Sequence, residues 1–184
     1  MEHDISDKAA WLRCAVERFE GPLVRYAESF TGTPDIARDV VQDTFLRLCE
    51  QQPEQLNGRL AEWLFTVCRH RALDVRRKEV RLTTLNENDL ETDSMATPCA
   101  VAERNECASE LTQLVSMLPH NQREVVRLKF QGGLSYEEIS RVTKLSTSNV
   151  GFLLHTAIKT LRAKLSRRNE KGSIHEDQKR LCRR

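Results

Sequence analysis

Apolar residues recur every three or four positions along most of the chain. The clearest case is the stripe formed by Val150, Leu153, Leu154, Ala157, Ile158, Leu161 and Leu165. This spacing places side chains on one face of an α-helix. Val, Ile and Thr never alternate with polar residues over a strand-length segment, and glycine and proline number only seven and five. The pattern therefore predicts an all-α protein.

In the first part of the chain the pattern predicts helices over 7–30, 34–50 and 59–80. The first is interrupted near Gly21 and Pro22, so it is one helix or a pair. Thr33 can cap the second, and Pro34 suits its first helical position. Residues 51–58 contain Pro53, Asn57 and Gly58 and are predicted to form a loop.

Periodicity fades over residues 83–103, which are polar and acidic, so this segment is predicted to be a flexible linker. The sequence then divides into an N-terminal domain at 1–82, the linker, a second domain at 104–168 and a charged tail at 169–184. Helices are expected at 104–117, 119–130 and 135–142, and a last helix begins after Ser146. The tail from Ser166 onward is expected to fray.

Charge is distributed unevenly along the chain. The 184 residues carry a net charge of +2, but residues 120–168 hold ten Lys and Arg against three Asp and Glu. Such a basic excess favours a polyanionic partner for the second domain. No apolar run approaches the roughly 20 residues that span a bilayer, and the acidic N-terminus does not resemble a signal peptide. The protein is therefore expected to be cytoplasmic.

No two of the six cysteines form a CxxC pair, and no histidine stands at zinc-ligand spacing from such a pair. Neither a zinc site nor a disulfide framework is therefore predicted. Cys14, Cys49 and Cys68 fall among helical apolar positions. They are predicted to be small core residues.

The segment 134–165 has the pattern of a helix-turn-helix. Ser135 and Glu138 stand at capping-box spacing, a turn follows at 143–145, and Ser146 can cap the longer second helix. The N-terminal residues of such a helix reach base edges in the major groove. The predicted base readers are Ser146, Thr147, Ser148 and Asn149, and the predicted phosphate contacts include Lys144, Lys159 and Arg162. An ordinary helical hairpin with good caps is the alternative.

Two further helices carry charged outer faces. Helix 59–80 presents several arginines, either to nucleic acid or only to solvent. Helix 34–50 presents Asp39 and Asp43 one turn apart, but no His, Ser or Cys constellation accompanies them. A protein-binding or merely solvated face is therefore expected there rather than catalysis.

Three blocks in this chain resemble a known family. The segment 35–48, DIARDVVQDTFLRL, is similar to the polymerase-binding helix of extracytoplasmic-function sigma factors. The segment 63–77 resembles the helix that follows it in that family. Leu118-Pro119, Gln122–Val125 and Leu134–Ile139 match the family's second DNA-binding domain, and the three blocks stand in the family's order.

The resemblance implies a bacterial transcription initiation factor without catalytic residues, metal or cofactor. It implies binding of the RNA polymerase clamp by Asp35, Asp39, Gln42, Asp43 and Phe45. The second domain would dock on the polymerase flap and read the −35 promoter element. The −10 element would meet Asn57, Arg59, Arg69, His70, Arg76 and Arg77, with loop 51–59 as the pocket for a flipped base. An inhibitory anti-sigma partner is a further implication.

The chain departs from the family in its last helix. Leu153, Thr156 and Ile158 stand where the family commonly has arginines. The alternative function is a helix-turn-helix regulator that binds an operator without polymerase. Helices 34–50 and 59–80 would then lack a purpose.

Overall fold

The structure, a computed structural model, describes residues 2–56, 58–86 and 106–181, and these residues form eight helices and no strand. The helices are α1 (Glu2–Thr31), α2 (Pro34–Cys49), α3 (Pro53–Leu56), α4 (Leu60–Asn86), α5 (Glu106–Ser116), α6 (His120–Phe130), α7 (Tyr136–Thr143) and α8 (Thr147–Leu181). The prediction of an all-α fold is confirmed. We call α1–α4 the first half and α5–α8 the second half.

Helix α1 runs without a break through Gly21 and Pro22, so the predicted interruption is wrong. Proline removes one backbone hydrogen bond and strains the preceding turn. Phe19 and Leu23 lie on either side of this point and both are buried. Packing of this apolar stripe against α2 and α4 holds the helix together where local propensity would end it.

Two local predictions near α2 need correction. Thr33 occupies the N-cap position in an extended conformation, but its side chain makes no capping hydrogen bond. The predicted loop at 51–58 contains the short helix α3, which begins at Pro53 and buries Leu56. Proline favours the first position of a helix, so the residue that suggested a break starts a turn of helix instead.

Two helices extend beyond their predicted ends. Helix α4 continues to Asn86, so the first residues of the predicted linker are helical, and residues 87–105 lie outside the described part. Helix α8 continues to Leu181, past the point at which the sequence predicted fraying. The extension of α8 is rich in Arg, Lys, Glu and Gln, which have good helix propensity.

The two halves share one hydrophobic core. Buried Tyr26 and Phe65 of the first half belong to the same cluster as Val125, Leu134 and Leu154 of the second half. Within the second half, α6 and α7 both pack against α8. The predicted linker suggested that the two halves are independent units. In the structure the apolar surfaces of the two halves are in contact.

Only one of the three cysteines predicted to be in the core is buried. Cys68 lies on the inner side of α4, whereas Cys14 and Cys49 are exposed. Each exposed thiol neighbours a buried residue, Ala15 or Leu48, and one residue turns a helix by about 100°. Apolar character alone therefore assigned these two residues to the wrong side.

Cys68 is expected to resist alkylation in the folded protein. Burial raises the pKa of its thiol to about 12, and the thiolate is the form that attacks alkylating reagents. At pH 8, iodoacetamide followed by peptide mass spectrometry should modify Cys14 and Cys49 and spare Cys68 until urea unfolds the chain. Equal labelling of Cys68 and Cys14 in the native protein would contradict the packing of α4.

Candidate nucleic-acid interface

Helices α7 and α8 form the predicted helix-turn-helix, and its first helix has a complete capping box. The Glu138 N–H donates to Ser135 Oγ at 3.3 Å, and the Ser135 N–H donates to Glu138 Oε2 at 2.6 Å. The bond from the Ser135 backbone lowers the pKa of Glu138. The carboxylate is therefore held as an acceptor, which fixes the start of α7.

The turn between the two helices is set by Lys144, whose φ of 63° lies in the left-handed region. The Ser140 hydroxyl donates to the Leu145 carbonyl at 2.5 Å and closes the turn. Ser146 Oγ then accepts the Asn149 N–H at 3.2 Å and caps α8. Ser146 is thus engaged in capping, although it was also predicted to read a base.

The outward face of α8 brings together most of the residues predicted to meet DNA. Thr147, Ser148, Asn149, Lys159 and Arg162 are exposed, and Lys144 is exposed on the preceding turn. Val150, Leu154 and Ala157 fill the opposite side of the helix. Phe152, which the sequence pattern did not indicate as a contact residue, also lies exposed on the outward face.

Helix α2 presents a second candidate surface, on the opposite half of the molecule. Asp35, Asp39 and Gln42 lie exposed along one side. The Asp35 carboxylate accepts a hydrogen bond from Arg38 Nη1 at 2.8 Å. The stripe is therefore less acidic than the sequence suggested, and Asp39 carries the acidic charge at its centre.

Two residues predicted to lie on this surface are placed differently. Asp43 forms an ion pair with Arg71 of α4, so it helps to join α2 to α4. Phe45 is half-buried and, with Gln42, lines a cleft of about 300 Å³. Residues of α1 complete that cleft, namely Val16, Glu20 and Val24. Sequence reasoning missed these α1 residues, because they belong to an ordinary amphipathic stripe.

The basic side of α4 is only partly open. Arg59, His70, Arg76 and Arg77 are exposed, and Arg77 pairs with Asp74 at 3.4 Å. Asn57 lies outside the described residues. Arg69 was expected on the same open face, but this is wrong, since its side chain is only 19% exposed and is bound to Glu124 of α6.

Glu124 is the centre of a buried polar cluster that joins the two halves. Its Oε1 accepts a hydrogen bond from the Tyr26 hydroxyl at 2.8 Å and another from Arg69 Nε at 2.7 Å. Burial, followed by the charge of Glu124, raises the pKa of Tyr26 well above its usual value. Burial lowers the pKa of Arg69, but its hydrogen bond and attraction to Glu124 outweigh that effect and leave it raised.

Apolar and ionic contacts surround this cluster. Phe30 and His120 meet edge to face with ring centroids 5.4 Å apart. The Phe65 ring lies so close to Gly132 that a Cβ at that position would approach its Cε2 to 2.9 Å. Nearer the surface, Arg141 of α7 binds Glu62 of α4 through two hydrogen bonds of 2.8 and 2.9 Å.

Some buried polar atoms of α6 have no hydrogen-bond partner among the described residues. Gln122 Oε1, Arg123 Nε and Arg127 Nη1 are buried and make no hydrogen bond. Burial, together with the charge of Arg123, lowers the pKa of Arg127 to about 10. A buried polar atom without a partner costs about 1–3 kcal/mol.

Comparisons with known proteins identify both halves. Residues 15–82 match the family model described as Sigma-70 region 2, and residues 108–161 match Sigma-70, region 4. The sigma factor SigL of Mycobacterium tuberculosis is 32% identical over 165 residues, covering 86% of this chain and 90% of SigL. SigM of Bacillus subtilis is 26% identical over 151 residues, covering 82% and 93%.

Two solved structures share the fold. The sigma factor RpoE of Bartonella quintana, in complex with the anti-sigma factor NepR, gives a TM-score of 0.66 at 24% identity and covers 87% of this chain and 97% of that one. CnrH, in complex with the cytosolic domain of CnrY, gives 0.54 at 24% identity, covering 84% and 87%. The chain belongs to the extracytoplasmic-function family of sigma-70-type RNA polymerase sigma factors.

The described residues contain no group of three His, Cys, Asp or Glu side chains placed to hold a metal ion. No helix in the same part of the chain is long and apolar enough to cross a membrane.

The Tyr26–Glu124 hydrogen bond is expected to stabilise the folded protein. Tyr26→Phe removes one of two donors to a buried carboxylate, which should lower the free energy of unfolding by about 1.5–3 kcal/mol. In a Glu124→Leu background the same change should cost much less, because the acceptor is gone. Urea titrations give these values, and Tyr136→Phe at the exposed second tyrosine is the control.

This stabilisation should also depend on pH. The raised pKa of Tyr26 means that its contribution is complete below about pH 10 and is lost as the pH rises through the raised value. A Tyr26→Phe variant should lack that alkaline decline. If Tyr26→Phe lowers the free energy of unfolding equally in the native and the Glu124→Leu backgrounds, the hydrogen bond to Glu124 is not the source of the stabilisation.

Proposed function

We propose that this chain binds core RNA polymerase and directs transcription initiation by recognising −10 and −35 promoter elements. The observation that supports it most is the presence of both sigma regions in one chain, in order, with an outward polar and basic face on α8. The proposed site of action is the cytoplasm, where polymerase and promoter DNA are found. RNA synthesis itself would be carried out by the polymerase.

Helix α2 is the proposed anchor on the polymerase clamp. Asp39 and Gln42 are exposed on it, and the neighbouring cleft offers apolar walls from Val41 and Phe45. An acidic group beside an apolar recess suits a partner with a basic rim and an inserted apolar side chain. Asp43 is assigned to the ion pair with Arg71 and only secondarily to the polymerase.

Asp39→Arg is expected to abolish or strongly weaken binding to core polymerase while leaving the fold intact. The position is exposed, so the free energy of unfolding should change by about 0.5 kcal/mol or less. Glu17→Arg, an equal charge reversal at an exposed position of α1, is the matched control. Interferometry against purified core measures the affinity, and circular dichroism reports folding.

The native affinity for core should also fall as salt rises, as for other charged interfaces. Unchanged binding by Asp39→Arg would remove α2 as the anchor. If the native chain binds no core at all yet binds an operator-like DNA alone, the free-standing regulator is the better account.

Helix α8 is the proposed reader of the −35 element. Ser148 and Asn149 are exposed at its N-terminal end, and Lys159 and Arg162 follow along the same outward side. Asparagine can bond adenine through two hydrogen bonds, whereas lysine contacts phosphates without regard to sequence. The two kinds of residue should therefore respond differently to mutation.

Asn149→Ala should relax sequence preference at one base pair of the −35 element, by about 1–3 kcal/mol. Lys159→Ala should weaken binding to all sequences alike and reduce the salt dependence of log K by about one unit. Holoenzyme binding to a set of single-base promoter variants, at several salt concentrations, measures both effects. A uniform loss with Asn149→Ala across the set would rule out base reading by that side chain.

The −10 element is proposed to contact four exposed basic residues on the surface of the first half, namely Arg59, His70, Arg76 and Arg77. Elements about 25 base pairs apart are separated by roughly 85 Å of B-form DNA. A compact chain of this length has a radius of gyration of about 16 Å. A compact chain of this size is too short to reach both promoter elements, so we infer that the two halves separate on a promoter. Separation would also release Arg69 from Glu124.

An anti-sigma factor is proposed as a regulatory partner. The support is that RpoE, which shares this fold, was solved in complex with the anti-sigma factor NepR. CnrH, which also shares it, was solved in complex with the cytosolic domain of CnrY. A regulator that favours contact between the halves would oppose the separation that promoter binding requires.

A further inference from the structure

Phe152 lies at the centre of the outward face of α8. The residue is 67% exposed, although it is among the largest apolar residues of the second half. Each residue turns a helix by about 100°, so Phe152 lies about 200° around α8 from the buried Val150. Ser148 and Lys159 are within about 40° of it by the same measure. The ring therefore projects from the middle of the face proposed to meet DNA.

Among residues 147–166, Phe152 is the one large apolar residue of α8 that is exposed. Gly151 has no side chain, and the Tyr136 ring lies against that position, with Cε2 3.7 Å from where a Cβ would stand. Thr147, Ser148 and Asn149, which precede it, are short and polar. In the first turns of α8 the outward face thus combines small hydrogen-bonding groups with a single large apolar ring.

The chemistry of the major groove limits what such a ring can contact. Base edges present hydrogen-bond donors and acceptors, and their apolar feature is the C5 methyl group of thymine. A phenyl ring can gain by covering that methyl group but cannot pair with the polar edges. Phosphate contacts are likewise unsuited to it, and Lys159 and Arg162 are available for them.

We propose that Phe152 is a specificity-determining residue that contacts the C5 methyl group of a thymine in the −35 element. This inference rests on the proposed function, namely that α8 reads that element. It assigns Phe152 to thymine recognition and leaves hydrogen-bonded readout to Ser148 and Asn149.

The test replaces thymine by deoxyuridine, which differs only in lacking that methyl group. Holoenzyme made with the full chain first selects its preferred −35 sequence from a randomised promoter library. Each thymine of that sequence is then changed singly to deoxyuridine, and affinity is measured for the native chain, Phe152→Ala and Phe152→Leu. Phe130→Ala is the matched control, because Phe130 is 66% exposed but lies at the end of α6.

The native chain should lose about fourfold in affinity at one deoxyuridine position, the effect of one methyl-sized apolar group. Phe152→Ala should bind the thymine and deoxyuridine promoters equally, Phe152→Leu should keep part of the difference, and Phe130→Ala should keep all of it. Discrimination retained by Phe152→Ala, or no sensitive position in the native chain, would overturn the proposal and leave −35 reading intact.

Two other results would also overturn it. A loss of affinity for core polymerase in Phe152→Ala, with the promoter preference unchanged, would show that the ring faces a protein. If the native holoenzyme selects no −35 sequence at all, the proposed function fails and the thymine contact fails with it.

Discussion

The buried carboxylate of Glu124 is the constraint on which the arrangement of the two halves depends. A carboxylate can leave water only where charged or hydrogen-bonding groups replace its hydration. Here Tyr26 of α1 and Arg69 of α4 both donate to one of its oxygens. Glu124 itself belongs to α6, so satisfying this one group brings together helices that lie far apart in the chain. The contacts between Phe65 and Gly132, and between Arg141 and Glu62, join the same two halves.

Helix positions and the helix-turn-helix could be predicted because they depend on local physics. Periodic apolar residues define the helices, and the Ser135–Glu138 capping box is completed within four residues. The sequence predictions were wrong where the position of a residue depends on packing against residues far away in the sequence. Pro22 lies inside a helix whose apolar side is buried, and Cys14 and Cys49 are exposed, although their surroundings in sequence are apolar.

The residues of the candidate surfaces likewise divide into those placed by local sequence and those placed by distant partners. The outward placement of Ser148 and Asn149 follows from the position of the buried stripe on α8, which the sequence contains. Nothing near Arg69 or Asp43 in the sequence indicates their partners, since these lie 55 and 28 residues away. An arginine on a basic helix face and an aspartate on an acidic one look alike whether they bind a ligand or another helix of the same chain.

The link between α4 and α7 through Glu62 and Arg141, together with the cluster at Glu124, has a consequence for the affinity of any partner that requires the halves to separate. A partner that requires separated halves binds only the fraction of molecules that are open, so its apparent dissociation constant is the intrinsic one divided by that fraction. Each 1.4 kcal/mol of free energy that favours contact between the halves raises this apparent dissociation constant about tenfold. If the halves separate on a promoter as proposed, substitutions at Glu62 or Arg141 would alter promoter output without changing any residue proposed to contact the polymerase or the DNA.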